Sequence, residues 1–270
     1  MKVYLGPAGI PTTCLGNTEK GVREIADLGL NAMEMQFTYG VNLSLASAKA
    51  IGLVAKENGI RLSIHAPYYI NLCQQDAIKL ARSKRNVYES AERAEALGAK
   101  VIVFHPGAYM GMEKDRALEQ VKKVCAELVK ETTVDLGLEI TGKQGQFGTL
   151  DEVIAVCREV KGCVPVVDFA HMYARAAGNI NYEEIFHKLA KLNLKYHHFH
   201  FSGINFTKKA EGVGNERNHE PISIDRPPFK PLAESVLKSK VDTTIICESP
   251  LLEQDSLKMK KVFEGLDYNS

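Results

Sequence analysis

Short runs rich in β-branched residues alternate along the chain with longer segments whose apolar positions recur at three- and four-residue spacing. The short runs are "KVYLGPA" (2–8), "NAMEMQF" (31–37), "RLSIHAP" (61–67), "KVIVFHP" (100–106), "DLGLEIT" (135–141), "VPVVDFAH" (164–171), "YHHFHFSG" (196–203) and "TTIICESP" (243–250). Helix-patterned segments such as "TEKGVREIADLG", "SLASAKAIGLVAKENG", "AIKLARSKRNVYESAERAEALG" and "DRALEQVKKVCAELVKE" lie between them, several closed by Gly. After the eighth run, "DSLKMKKVFEGL" predicts a last helix with Asp255 or Ser256 as its N-cap. Such alternation is the signature of βα units around a parallel sheet. Eight strand–helix pairs in this length predict an α/β fold of the TIM type, a (β/α)8 barrel. A doubly wound sheet would carry a glycine-rich phosphate turn after its first strand, and "LGPAGIP" is not GxGxxG. No Pro/Gly/Ser linker or low-complexity stretch divides the chain, so residues 1–270 read as one domain.

Composition narrows the partners more than the fold. With 45% hydrophobic and 25% charged residues the chain reads as an ordinary globule. A net charge of +1 gives no long-range basic field, so a phosphate-bearing partner must be held by local groups or by metal. The six cysteines are scattered without a CxxC pair and read as reduced thiols. The start "MKVYLGPAGIPTT" has no charged leader before an apolar run, and no stretch approaches the roughly 18 apolar residues of a spanning helix. No membrane partner and a cytoplasmic location are expected.

Strand ends are where such a barrel carries its chemistry. His65 ends the third run, His105 the fourth and Glu139 the fifth; Asp168 and His171 end the sixth, His200 the seventh and Glu248 the eighth, with His219 in the loop "ERNHEP". In the seventh run alternation places His198 and His200 on one face and His197 on the other. His200 then stands at the rim, His198 one layer deeper where it can orient His200, and His197 outward against helices. Five histidines and three carboxylates at one rim lack a matching set of cationic side chains. Uncompensated carboxylates repel one another, so a cation is their natural resident. Imidazole with carboxylate suits Zn2+, with Mn2+ or Fe as alternatives. Eight ligands exceed one tetrahedral zinc and imply two or three ions sharing carboxylates. Clustered divalent ions are suited to clamping the attacking and leaving oxygens of a phosphoryl displacement.

The segments "HAPYYINL", "FHPGAY", "LEITGKQGQFG", "VVDFAHMYARAAG" and "CESP", in this order and spacing, resemble the endonuclease IV family of zinc-dependent apurinic/apyrimidinic endonucleases, which are TIM barrels. The resemblance covers nearly the whole chain. It implies a base-excision-repair endonuclease, usually monomeric, that cleaves double-stranded DNA 5′ to an abasic site. It further implies one zinc on His65, His105 and Glu139, a second on Glu139, Asp168, His200 and Glu248, and a third on His171 and His219. Glu139, bridging two ions, would position the attacking nucleophile and so counts as catalytic. Tyr68 and Tyr69 match the family's DNA-inserting loop after the third strand, and Tyr39 stands in for an arginine missing from "FTYGVNLS". Where the family has an Asp two residues before the last histidine, this chain has Arg217. Glu216 is offset by one residue and in an extended loop points to the opposite face. The expectation is therefore two firm metals, a weak or absent third, and Arg217 as a phosphate contact. The alternative is a xylose-isomerase-like sugar isomerase or epimerase, for which Glu139, Asp168, His200 and Glu248 serve equally well and His65, His105 and His171 are surplus.

Overall fold

The structure is a computed structural model and describes residues 1–222 and 226–268. The barrel strands are β1 (Val3–Pro7), β2 (Ala32–Gln36), β3 (Arg61–His65), β4 (Val101–Phe104), β5 (Asp135–Glu139), β6 (Cys163–Asp168) and β7 (Tyr196–Phe201). A hairpin, β8 (Gly203–Ala210) and β9 (Val213–Glu220), precedes the last barrel strand, β10 (Asp242–Cys247). Between and after the strands run α1 (Thr18–Asp27), α2 (Leu45–Glu57), α3 (Ala77–Leu97), α4 (Lys114–Leu128) and α5 (Leu150–Glu159). The remaining helices are α6 (Phe169–Arg175), α7 (Tyr182–Ala190), α8 (Phe229–Ser239) and α9 (Leu252–Glu264).

Eight parallel strands in the order β1-β10-β7-β6-β5-β4-β3-β2 wind into a (β/α)8 barrel. The seam between β1 and β2 is closed by Asn31, whose side chain accepts from Leu5 N at 2.6 Å and donates to Val3 O at 3.2 Å, while Asn31 N donates to Leu5 O. Gly6 is required there, because a Cβ on it would fall 1.6 Å from the Ala32 carbonyl oxygen. Most of the apolar core lies between the sheet and the helices, where Phe104, Phe169, Phe199 and Phe201 are fully buried. The barrel interior is more polar: Val101, Val103 and Val166, with Val164, form a small apolar cluster apart from the main core, and Glu34, Ser63, His198 and Thr244 are buried. No helix among the described residues is long and apolar enough to cross a membrane.

Three local expectations are corrected. The stretch "VPVVDFAH" does not stay extended: Asp168 ends β6 and caps α6 by accepting from His171 N, so His171 stands in the first turn of that helix. His219 lies not in a loop but on β9 of the antiparallel hairpin. The last helix starts at Leu252, placing Asp255 and Ser256 inside it; Asp255 instead accepts from Ile222 N at 2.7 Å and from the Ser249 hydroxyl.

Candidate metal centre

The strand ends bring the predicted donors together at the C-terminal rim. Ligand-capable atoms of His65, His105 and Glu139 lie within 4.8 Å of one another, as do those of Glu139, Asp168, His200 and Glu248, and those of Asp168, His171 and His219. Glu139, fully buried, joins the first two groups: His65 Nε2 and His105 Nε2 stand 2.9 and 2.8 Å from its Oε2, and His200 Nδ1 stands 3.1 Å from its Oε1. A cavity of about 460 Å³ opens above them, lined by Tyr68, His105, Lys143, Gln146, His171, Glu216, His219 and Glu248. A larger groove of about 1110 Å³ lies outside the barrel between α7 and α8, but the donor groups found among the described residues are all elsewhere.

Glu216 belongs to the rim, contrary to the expectation that it faces away. Asn205 pairs with Asn218 and Phe206 with Glu216, so Arg217 is an extra residue that bulges out of the β8–β9 ladder. The bulge resets the alternation and puts Glu216 on the same face as His219. Its carboxylate Oε2 lies 3.1 Å from His171 Nε2, in space that a Cβ on Gly142 would occupy. The loop after β5 grips β9: Glu216 N donates to Gly142 O, and Gln144 N donates to Asn215 Oδ1 at 2.8 Å. Arg217 is exposed and is not among the residues that line the cavity.

Hydrogen-bond logic shows that these groups fit a cation. His171 Nδ1 donates to Ile140 O and His219 Nδ1 to Glu248 O, since a carbonyl can only accept. Their Nε2 atoms then face each other at 3.1 Å, and that of His171 also faces Glu216 Oε2, so acceptor meets acceptor. Glu216 Oε2 and Asp168 Oδ2 are buried without a hydrogen-bond partner. A cation, whether protons or metal ions, has to fill this set. Burial disfavours charge on His171, but Asp168, Glu216 and Glu139 raise its pKa well above the ordinary value. His200 is raised in the same way by Glu248, Glu34 and Glu139, again against burial. Burial likewise opposes ionisation of Glu139, yet His105 and His200 hold it well below the usual range. Asp168 goes the other way: burial, with Glu248 and Glu139 nearby, lifts it despite His171.

Two acidic groups and a lysine extend the predicted set. Glu34, in the middle of β2, contacts His198 and His200 from below. Glu216 joins from β9, and Lys143 Nζ stands 3.5 Å from Glu216 Oε1 at the cavity mouth. The signal for Glu34 is a lone carboxylate inside the apolar run "NAMEMQF". Tyr68 packs its ring 5.0 Å from that of His65 and is half exposed, while Tyr69 donates to Asn86 Oδ1 and Tyr39 is 89% exposed. His197 points outward, its ring stacked on Phe199 and edge-on to Phe186.

A closed parallel barrel with acidic and imidazole donors converging at its rim defines a TIM barrel with a candidate divalent-metal centre. A family model described as "Xylose isomerase-like TIM barrel" matches residues 22–265, and the chain belongs to that family. It is 33% identical over 98% of its length, and 98% of the relative's, to the uncharacterised protein MJ0133 of Methanocaldococcus jannaschii. It is 28% identical to a probable endonuclease 4 of Bacillus mycoides across 77% of this chain and 72% of that one. The fold is shared with endonuclease IV from Thermus thermophilus, with a TM-score of 0.68, 18% identity and 98% coverage of both chains. It is shared equally with D-psicose 3-epimerase from Clostridium cellulolyticum, with a TM-score of 0.67, 15% identity and coverage of 92% and 85%.

Proposed function

We propose that the protein is a metal-dependent phosphodiesterase that cleaves duplex DNA 5′ to abasic sites, as a base-excision-repair endonuclease. The observation that carries this reading is the convergence of His65 and His105 on one oxygen of Glu139, beside the donors Asp168, His200 and Glu248. A sugar isomerase is served by the latter four-residue set alone, whereas a multi-metal phosphodiesterase uses both. The likeness in sequence to endonuclease 4 supports the same choice. The shared fold of D-psicose 3-epimerase keeps the isomerase as the second reading.

On this reading His65, His105 and Glu139 hold one ion, and Glu139, Asp168, His200 and Glu248 hold another. His171, His219 and Glu216 hold a third, Glu216 taking the place of the Asp for which Arg217 stands in the sequence. Zinc suits the imidazole-rich sets best. Bound divalent ions supply Lewis-acid polarisation of the phosphodiester and charge to balance its transition state. The chain's own groups do the rest. Glu139 fixes the geometry between two donor sets. Lys143 at the cavity mouth meets a phosphate oxygen as a point charge. Tyr68 covers the histidines on one side and limits water, while exposed Tyr39 and Tyr69 offer stacking faces to an unpaired strand. Elemental analysis of the purified protein, alongside cleavage of an oligonucleotide duplex with a single abasic site, tests the proposal. Metal-loaded protein that leaves this duplex intact and epimerises a ketose would overturn it.

A further inference from the structure

His200 is turned the opposite way from its neighbours. His65, His171 and His219 offer Nε2 to the cluster because Nδ1 donates to a main-chain carbonyl, that of Ala66 at 2.7 Å, Ile140 at 2.9 Å and Glu248 at 3.1 Å. His200 offers Nδ1, which lies 3.1 Å from Glu139 Oε1 and 3.4 Å from Glu248 Oε1. Its Nε2 points down the barrel axis, where no carbonyl takes it. It meets Glu34, 3.1 Å from Oε1 and 3.3 Å from Oε2.

Glu34 is fully buried, and its carboxylate is already full of donors. Ser63 Oγ donates to Oε2 at 2.9 Å, Gln36 Nε2 donates to Oε1 at 3.2 Å, and His198 Nε2 lies 3.1 Å from Oε2. With His200 that makes four donors, matching the roughly four lone-pair sites of a carboxylate. Glu34, His198 and His200 are also close enough to one another to hold an ion. An ion there would displace both imidazole protons and leave Ser63 and Gln36 without an acceptor, so hydrogen bonding is the better account.

We propose that Glu34 is a positioning residue for His200: held by Ser63, Gln36 and His198, its carboxylate keeps the proton on Nε2 and aims the Nδ1 lone pair at the rim between Glu139 and Glu248. The inference rests on the reading of the rim as a metal centre, whichever reaction that centre performs. A carboxylate behind a ligating imidazole fixes its tautomer and raises its basicity, and losing it weakens metal binding by about 10–100-fold. Carbonyls do this for His65, His171 and His219; the inward-facing carboxylate of β2 does it for His200.

The test is zinc affinity by chelator competition in wild type, Glu34→Asp and Glu34→Gln, with long-range ¹H–¹⁵N spectra of histidine-labelled wild type. Wild type is expected to bind most tightly. Glu34→Asp, which keeps the charge, should fall between it and Glu34→Gln, whose weakest zinc site should lose about 10–100-fold. The spectrum of the zinc-loaded wild type should show His200 protonated at Nε2 and bare at Nδ1. A proton on Nδ1, or Glu34→Gln binding as tightly as wild type, would overturn the inference while leaving the metal centre standing. Wild type that takes up no zinc would overturn both. If Glu34→Gln fails to fold, the wild-type spectrum alone decides, because it reports the tautomer directly.

Discussion

Glu216 Oε2 and His171 Nε2 stand 3.1 Å apart across the rim because one extra residue, Arg217, bulges from the strand between Glu216 and Asn218. The two atoms are both acceptors once His171 Nδ1 has donated to Ile140 O, so their closeness is stable only around a cation.

The first prediction follows from that contact. Glu216→Gln keeps the volume but replaces an anionic donor, so the ion nearest His171 and His219 should be held at least about tenfold more weakly. Arg217→Asp should leave metal content unchanged, since that side chain is exposed and lies outside the cluster. Elemental analysis after dialysis against a mild chelator checks both. A gain of metal in Arg217→Asp would mean that the bulge reverses and position 217 is the ligand.

Glu139→Gln should abolish hydrolysis without unfolding the barrel. The amide fills the same space but cannot serve His65 and His105 on one oxygen and His200 on the other. A loss on the order of 10²–10³-fold or more in cleavage of abasic DNA is expected, with an unchanged circular dichroism spectrum. Wild-type cleavage by this variant would sink the bridging role.

How much of this is legible in the sequence depends on what each feature needs. The barrel is readable because eight buried strands and their helices impose separate periodicities on contiguous residues. The strand-end donors are readable because the C-terminal end of a strand is marked by where its apolar run stops. Glu216 escapes a reading by simple alternation because a bulge is a property of two strands in register, and nothing within "VGNERNHE" marks where its partner gains a step. Glu34 escapes because it ends no strand; its role appears only when closure of the barrel brings β2 across the interior from β7. Asp255 looks like a cap by local propensity, but tertiary hydrogen bonds to Ser249 and Ile222 claim its carboxylate.

His105→Ala separates the two enzyme classes. A phosphodiesterase that uses His65, His105 and Glu139 as a set should lose an ion and most of its activity, by roughly 10²-fold or more. An isomerase working from Glu139, Asp168, His200 and Glu248 should keep its metal and its turnover of a ketose. Metal content and both assays on the same preparation give the answer.

Lys143 should act through charge rather than through chemistry. Its ammonium is half exposed at the cavity mouth, paired only loosely with Glu216 at 3.5 Å. Lys143→Ala should weaken DNA binding and lower the slope of log affinity against log salt by about 0.9, the value for one duplex phosphate contact. An unchanged slope would remove Lys143 from the interface.

His197 supplies a pH dependence away from the metal centre. Burial between Phe199 and Phe186 pushes its pKa down to about 4, and its Nδ1 has no hydrogen-bond partner. A histidine whose pKa is lower in the folded state binds its proton preferentially when unfolded. The stability it contributes as a neutral ring is therefore complete above the unfolded pKa near 6.5 and is lost as pH falls from there toward 4. The full loss is about 3 kcal/mol, reached below pH 4, and about half of it is gone by pH 5. His197→Phe keeps the stacking, needs no proton acceptor, and borders the roomy groove between α7 and α8. Urea midpoints at pH 7 and pH 5 should then draw together: wild type loses stability over that range and the variant loses less, by roughly 1–2 kcal/mol. Equal losses in the two proteins would mean that His197 takes up its proton in the native state and that the ring is less sheltered than its packing indicates.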